Sequence, residues 1–265
     1  MRTLYIKVKL QQLRCHDKPD GWSNGEPYLW NIFFKIDGSC IILNDKFRLE
    51  GRPAYHFSKG SQGNLSAKNL ESGGMVAIPD EVGEWKTMLV PITIPYFEAK
   101  VSGVAGLVSV LIEQNLVSSS GAEAGHEAFN KYVVEALDSV IRGFDPKMID
   151  LANVDASIKN YFDEEVRKYT ENISSLVGQA VASSQTILQN FLALVKKDVV
   201  IGYKIWDFST DAIEAGGGEL AFSHRWTTKK SGDWELKGRI YANMESETTN
   251  ALKRVRSRGE EEEEE

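Results

Sequence analysis

Cysteine is scarce in this chain: only Cys15 and Cys40 occur in 265 residues. A disulfide framework or a zinc site would want more ligands at tighter spacing, so the sequence predicts two buried free thiols. Long apolar runs are missing as well. No segment reaches the roughly 18 apolar residues that a spanning helix needs. The opening MRTLYIKVKL alternates apolar and polar residues instead of setting a basic region before an apolar block. That pattern predicts no secretory signal and residence in the cytoplasm. Histidine is confined to positions 16, 56, 126 and 224. His126-Glu127 opens a zinc-protease pattern, but Asn130 stands where the second histidine belongs, and His16 beside Asp17 has no nucleophile to serve. There is no Gly-x-Ser-x-Gly elbow, and Gly216-Gly-Gly218 lacks the Lys-Ser/Thr ending of a phosphate loop, so the expectation is a protein that is not an enzyme. Basic excess is absent too. The formal charge of −7 belongs mostly to Glu260 through Glu265, and without that run the rest carries −1. Lys253-Arg-Val-Arg-Ser-Arg258 is the only basic cluster, so nucleic acid is not an expected partner.

What remains is an ordinary globular composition, 42% hydrophobic and 26% charged. Leu4, Ile6, Val8 and Leu10 alternate with Lys7 and Lys9, the period of a half-buried strand. Residues 28–36 form a second apolar run, and Asp37-Gly38 predicts a hairpin-type turn into 39–43. Residues 44–87 read as loops and short strands. Residues 88–94 and 105–112 read as two more strands, the latter apolar enough to be buried on both faces.

After Ser118-Ser-Ser-Gly121 the period changes to that of a helix. Ala124, Ala128, Tyr132, Leu137 and Ile141 share a face that Gly143 ends. Asp145-Pro146 starts another helix, and a stripe from Ile158 to Val195 predicts one long helix of about 58 Å, or one bent at Gly178. Strand character returns at 199–206, 219–222 and 234–241, with Gly216-Gly-Gly218 and Ser231-Gly-Asp233 as turns. Strands thus bracket the helical block. The economical architecture is α+β: one antiparallel β-sandwich from residues 1–118 and 199–250, a large helical insertion at 119–198, and a charged, disordered tail at 251–265. Trp30, Trp85, Trp206, Trp226 and Trp234 lie in or beside strands and are expected to pack, leaving Trp22 as the exposed tryptophan.

One short stretch points to chemistry. Asp20-Gly-Trp-Ser-Asn-Gly-Glu26-Pro27-Tyr28 sits between two strands and holds two acids, two glycines and a tryptophan. With LYIKVKLQQL before it, this pattern resembles the first calcium-binding loop of C2 domains, in which two loop acids with five residues between them precede Pro-Tyr. The resemblance covers residues 4–45 and has no counterpart for 119–198. It implies a C2-like sandwich with calcium as cofactor. Asp20 and Glu26 would be ligands, and Trp22 at the tip would enter a lipid headgroup layer. Glu26 departs from the family's aspartate. A second acidic element is sought in two places: Glu113-Gln-Asn115 after the buried strand, or Asp207 and Asp211 in Trp206-Asp-Phe-Ser-Thr-Asp211, which is similar to the family's Trp-Asp element.

The functional expectation is a non-enzymatic binding module that meets an acidic lipid surface through residues 17–27 in a calcium-dependent way. The alternative is a structural subunit that docks a protein partner, or a second copy of itself, through 119–198. A weaker alternative is a pore-forming-like, membrane-active effector, because Ser174 through Ser184 is small and weakly charged.

Overall fold

The computed structural model describes residues 2–19, 25–46, 48–93, 100–114, 118–143, 157, 199–229 and 231–243. The N-terminal alternation becomes β1 (Leu4–Asp17), with Leu4, Ile6, Val8, Leu10, Leu13 and Cys15 buried and Tyr5, Gln11 and Arg14 outward. A register shift between Leu10 and Gln12 lets this long strand keep its apolar side inward past the irregularity. There follow β2 (Pro27–Ile36), β3 (Ile41–Leu43), β4 (Leu49–Gly51), β5 (Ala54–Phe57), β6 (Met75–Ala77), the single turn α1 (Asp80–Gly83) and β7 (Glu84–Leu89). Next come β8 (Ile92–Thr93), β9 (Lys100–Val101), β10 (Val104–Glu113) and the helix α2 (Ser119–Gly143). Beyond the helical region lie β11 (Val199–Ser209), α3 (Thr210–Ala215), β12 (Glu219–Thr228) and β13 (Gly232–Asn243).

The pairing is antiparallel throughout the named strands and makes two main sheets. One has the order β12-β13-β1-β6, with β7 also paired to β1; the other has the order β11-β10-β2-β5. Each sheet takes strands from both sides of residues 119–198. The sheets face each other through Leu10 and Leu13 of β1, Phe33 of β2, Leu107 and Leu111 of β10, and Trp234 and Leu236 of β13. The outer face of the first sheet interleaves charges that pair with one another: Lys9 and Lys86 reach Glu84, Lys237 reaches Glu235, and Arg239 reaches Glu219.

The second sheet is covered on both faces, which explains why every residue of β2 is buried. Its outer side holds Trp30, Phe34, Val108 and Val110, and α2 lies across it with Ala122, Phe129, Val133, Leu137 and Ile141. Asp138, 5% exposed, fixes the helix by accepting from Tyr55 Oη at 2.9 Å and from Arg52. Burial, then Asp138 itself, raises the Tyr55 hydroxyl far above its usual pKa. Three strand glycines lie beneath aromatic rings. A Cβ on Gly106 would sit 2.1 Å from the Phe34 ring, one on Gly238 2.4 Å from Phe222, and one on Gly202 2.2 Å from Trp226.

Several expectations change. The Asp37 turn is present, with Ile41 N–H donating to the Asp37 carbonyl at 2.8 Å, but β3 pairs with β4 and not back onto β2, so no hairpin forms. Residues 88–94 are not one strand: β7 ends at Leu89, because Pro91 has no N–H to continue a ladder and Val90 N–H turns to Asp37 Oδ2 at 2.9 Å. A large helical insertion is not supported among the described residues, which of 119–198 include the helix α2; it forms a third layer on the sandwich because its apolar stripe meets the outer face of β2 and β10. The helix started at Asp145-Pro146, the long helix from Ile158 to Val195 and the acidic tail lie outside the described residues. Cys15 and Cys40 are free thiols, the first buried and the second half-buried. His16 meets Glu235 at 3.1 Å.

Candidate ligand-binding loop end

The β1–β2 connection, the segment 66–74 and the exit of β10 converge at one end of the sandwich. Backbone bonds join them: Cys15 N–H donates to the Gly74 carbonyl (2.9 Å), Gly73 N–H to the Cys15 carbonyl (2.8 Å) and Leu70 N–H to the Gly25 carbonyl (2.7 Å). Gly25 is required for this approach, since a Cβ there would lie 2.3 Å from the Leu70 carbonyl oxygen. Lys18 binds Glu71 at 2.7 Å, and its N–H donates to Ser72 Oγ at 2.9 Å.

Glu26 and Glu113 meet here. The pairing of Pro27 with Glu113 places them side by side across 87 residues of sequence. Glu26 N–H donates to Glu113 Oε1 at 3.0 Å, and Gln114 N–H donates to the Glu26 carbonyl at 3.2 Å. Glu113 is 1% exposed, so its carboxylate fastens the loop to the strand and adds negative charge without facing solvent. Cys15 registers the resulting field. Burial first, then the charges of Asp17, Glu113 and Glu71 working against Lys18, push its thiol up to about 11.

Asp207 and Asp211 lie elsewhere. Asp207 pairs with Gly106, seven residues along β10 from Glu113, which is roughly 23 Å at ~3.3 Å per residue. Asp211 lies beyond β11 in the first turn of α3, a helix capped by Ser209 Oγ, which accepts Ala212 N–H at 3.2 Å. Of the two candidate second elements, the described residues of the first, Glu113 and Gln114, reach the end that holds Glu26, whereas Asp207 and Asp211 do not. Asp20, Trp22 and Asn115 lie outside the described residues. Among the described residues, no group of three or more His, Cys, Asp or Glu is placed to hold a metal ion.

The opposite end also carries a buried charge. Asp37, wholly buried, accepts from Lys35 Nζ at 3.0 Å, Ser39 N–H at 3.0 Å, Ser39 Oγ at 2.6 Å and Val90 N–H at 2.9 Å. Lys35 Nζ also donates to Ser39 Oγ and the Met88 carbonyl, each at 2.8 Å. Burial pushes the Asp37 carboxyl up, but the Ser39, Val90 and Lys35 donors outweigh it and hold the group below the usual carboxylate value. Sequence reasoning missed this cluster and the part played by segment 66–74. Ser66 and Asn69 shape that segment with φ of 52° and 59°, a conformation that a non-glycine residue does not advertise.

No family model, no curated protein and no solved structure matches this chain.

Proposed function

We propose that the protein is a non-enzymatic binding module, a C2-like sandwich that takes a cation at its Glu26 end, with calcium as the candidate ion and an acidic lipid surface as the partner. The observation that carries this reading is the convergence of Asp17, Glu26, Glu71 and Glu113 on one end, where Lys18 and the exposed Lys68 are the lysines of the joined segments. A hard cation suits such a field. In this reading Glu26 and Asp20 ligate directly, Glu113 orders the loop from behind, and Trp22 enters the headgroup layer. Asp207 and Asp211, at the far end, take no part.

The experiment is a calcium titration followed by thermal melting and by flotation with phosphatidylserine vesicles. A ligand that binds only the native state must raise its melting temperature. Calcium is expected to raise Tm and to drive vesicle binding, and Asp20→Asn combined with Glu26→Gln to abolish both. A Tm and a flotation profile indifferent to calcium would sink the proposal.

The assembly reading is narrowed by α2. Its apolar face is buried on its own sandwich, so a docking surface within 119–198 would have to come from the residues beyond it. Among the described residues no helix is long and apolar enough to cross a membrane, and Ser174 through Ser184, on which the pore-forming alternative rests, lie outside them.

A further inference from the structure

The margins of the two main sheets are protected, with one exception. In the second sheet β5 is four residues long. Its other margin, β11, is covered by Trp226, whose ring lies on Gly202 and whose Nε1 donates to the Tyr203 carbonyl at 3.0 Å. On the β1 side of the first sheet, β6 has three residues and β7 six. The remaining margin is β12. It runs ten residues, pairs with β13 without a register shift, and holds no proline and no lysine. Short strands, bulges, proline and lysine are what keep a sheet edge from pairing with another chain. Among the described residues no strand pairs with the other side of β12.

The register shows which groups β12 turns outward. One step before the Glu219–Tyr241 pair, Ala242 N–H donates to the Gly218 carbonyl at 2.7 Å, and the pairing continues unbroken to Thr228 and Gly232. Directly opposed residues of an antiparallel ladder alternate between hydrogen-bonded and non-hydrogen-bonded pairs. Leu220, Phe222, His224 and Trp226 therefore bond β13, while Glu219, Ala221, Ser223, Arg225 and Thr227 point N–H and C=O to the open side. That outward set carries an acid at its start and a base near its end, so an antiparallel copy of itself matches it in charge.

We propose that β12 pairs antiparallel with β12 of a second copy of this chain, joining the two first sheets into one across a twofold axis at Phe222. Outward groups must face outward groups, so the axis has to fall on a residue. On Phe222 it sets Glu219 opposite Arg225 at both ends and Ala221 opposite Ser223. One residue to either side, Glu219 would meet Ser223 or Thr227 instead. Both charged side chains have an atom to give: Arg225 uses Nε and Nη2 on Asp233, and Glu219 uses Oε1 on Arg239, which leaves Nη1 and Oε2. On the inward side Leu220 and Phe222 are only half-buried against the core between the sheets, and the copy's Phe222 extends that apolar cover.

Sedimentation equilibrium of the full chain in EDTA, where the calcium reading plays no part, tests this pairing. The mass is expected to rise from one chain toward two with concentration. Ala221→Pro removes an N–H that only the copy would use and leaves the β13 ladder whole, so it should hold the mass at one chain with an unchanged circular dichroism spectrum. Glu219→Arg and Arg225→Glu should each weaken self-association about tenfold or more, because like charges then face at both ends. An equimolar mixture of those two variants should associate more tightly than either alone. Damage to the fold cannot produce that outcome, which decides the matter if Ala221→Pro does not fold. A single-chain mass up to ~100 µM, a dimer undiminished in Ala221→Pro, or a mixture no tighter than its parts would overturn the proposal.

Discussion

The two ends of the sandwich treat their carboxylates in opposite ways. At the far end Asp37 is enclosed with its own cation, Lys35, and every oxygen has a hydrogen-bond donor. At the loop end Asp17, Glu71 and Glu113 act on Cys15 with Lys18 as the opposing charge, and Glu26 is bound to Glu113 beside them. A carboxylate that is already satisfied serves the fold. Acids that share a negative potential leave something for a ligand to neutralise. Residue type alone does not separate the two cases; the partners do.

That contrast can be broken by mutation. The largest expected effect is at the far end: Asp37→Asn leaves Lys35 buried without its counter-charge and should cost about 3–5 kcal/mol in a guanidinium unfolding curve. Acidification should act next, and first on α2. The His126 pKa is about 4 in the folded chain against 6.5 for an ordinary histidine, so its stabilising contribution is full above pH 6.5 and lost as pH falls toward 4. The loss amounts to about 3 kcal/mol across that window, and His126→Phe should flatten it in melts taken at successive pH values. Asp37, whose pKa is lowered, contributes stability that begins to fall only below the ordinary carboxylate pKa of 3.8. Acid should therefore loosen the helix contact before the far-end ion pair.

Smaller effects sharpen the comparison. Gly106→Ala places a Cβ inside the Phe34 ring's space and should cost about 1–3 kcal/mol by overpacking. Glu26→Gln should change stability in the absence of calcium by no more than about 0.5 kcal/mol, since its backbone N–H, not its side chain, makes the bond to Glu113. If Glu26→Gln proved as damaging as Asp37→Asn, the distinction between a structural end and a binding end would fail.

The strands that build the two sheets were legible because their periods are physical. Leu4 to Leu10 alternate, and β10 is continuous apolar because sheet and helix cover its two faces. The start of α2 followed from the change of period. Short pairings such as β3 with β4 were not legible, since three residues carry no period. The site was half legible. Glu26 and Glu113 were named, but Asp207 beside Trp206 matched the expected motif better and still sits far away. A residue's position along the chain does not say which end of a strand it occupies until the register is known, and the register is a property of two strands at once. His126 and Asn130 were read as a failed metal pair, and only the structure showed that His126 is buried against Trp30.

The rings that lie over strand glycines have a consequence for how the chain finds its register. In the first sheet a slip of one residue is rejected because it turns the apolar side outward, but a slip of two passes that filter, and β2 with β10, apolar on both faces, lacks the filter altogether. Phe34 opposite Gly106 would then meet Val104 or Val108, and Phe222 opposite Gly238 would meet Leu236 or Ile240. None of those positions has room for a ring lying flat across the neighbouring backbone. Each glycine is thus a notch that admits one alignment, so the sheets can discard shifted pairings that hydrophobicity alone would accept.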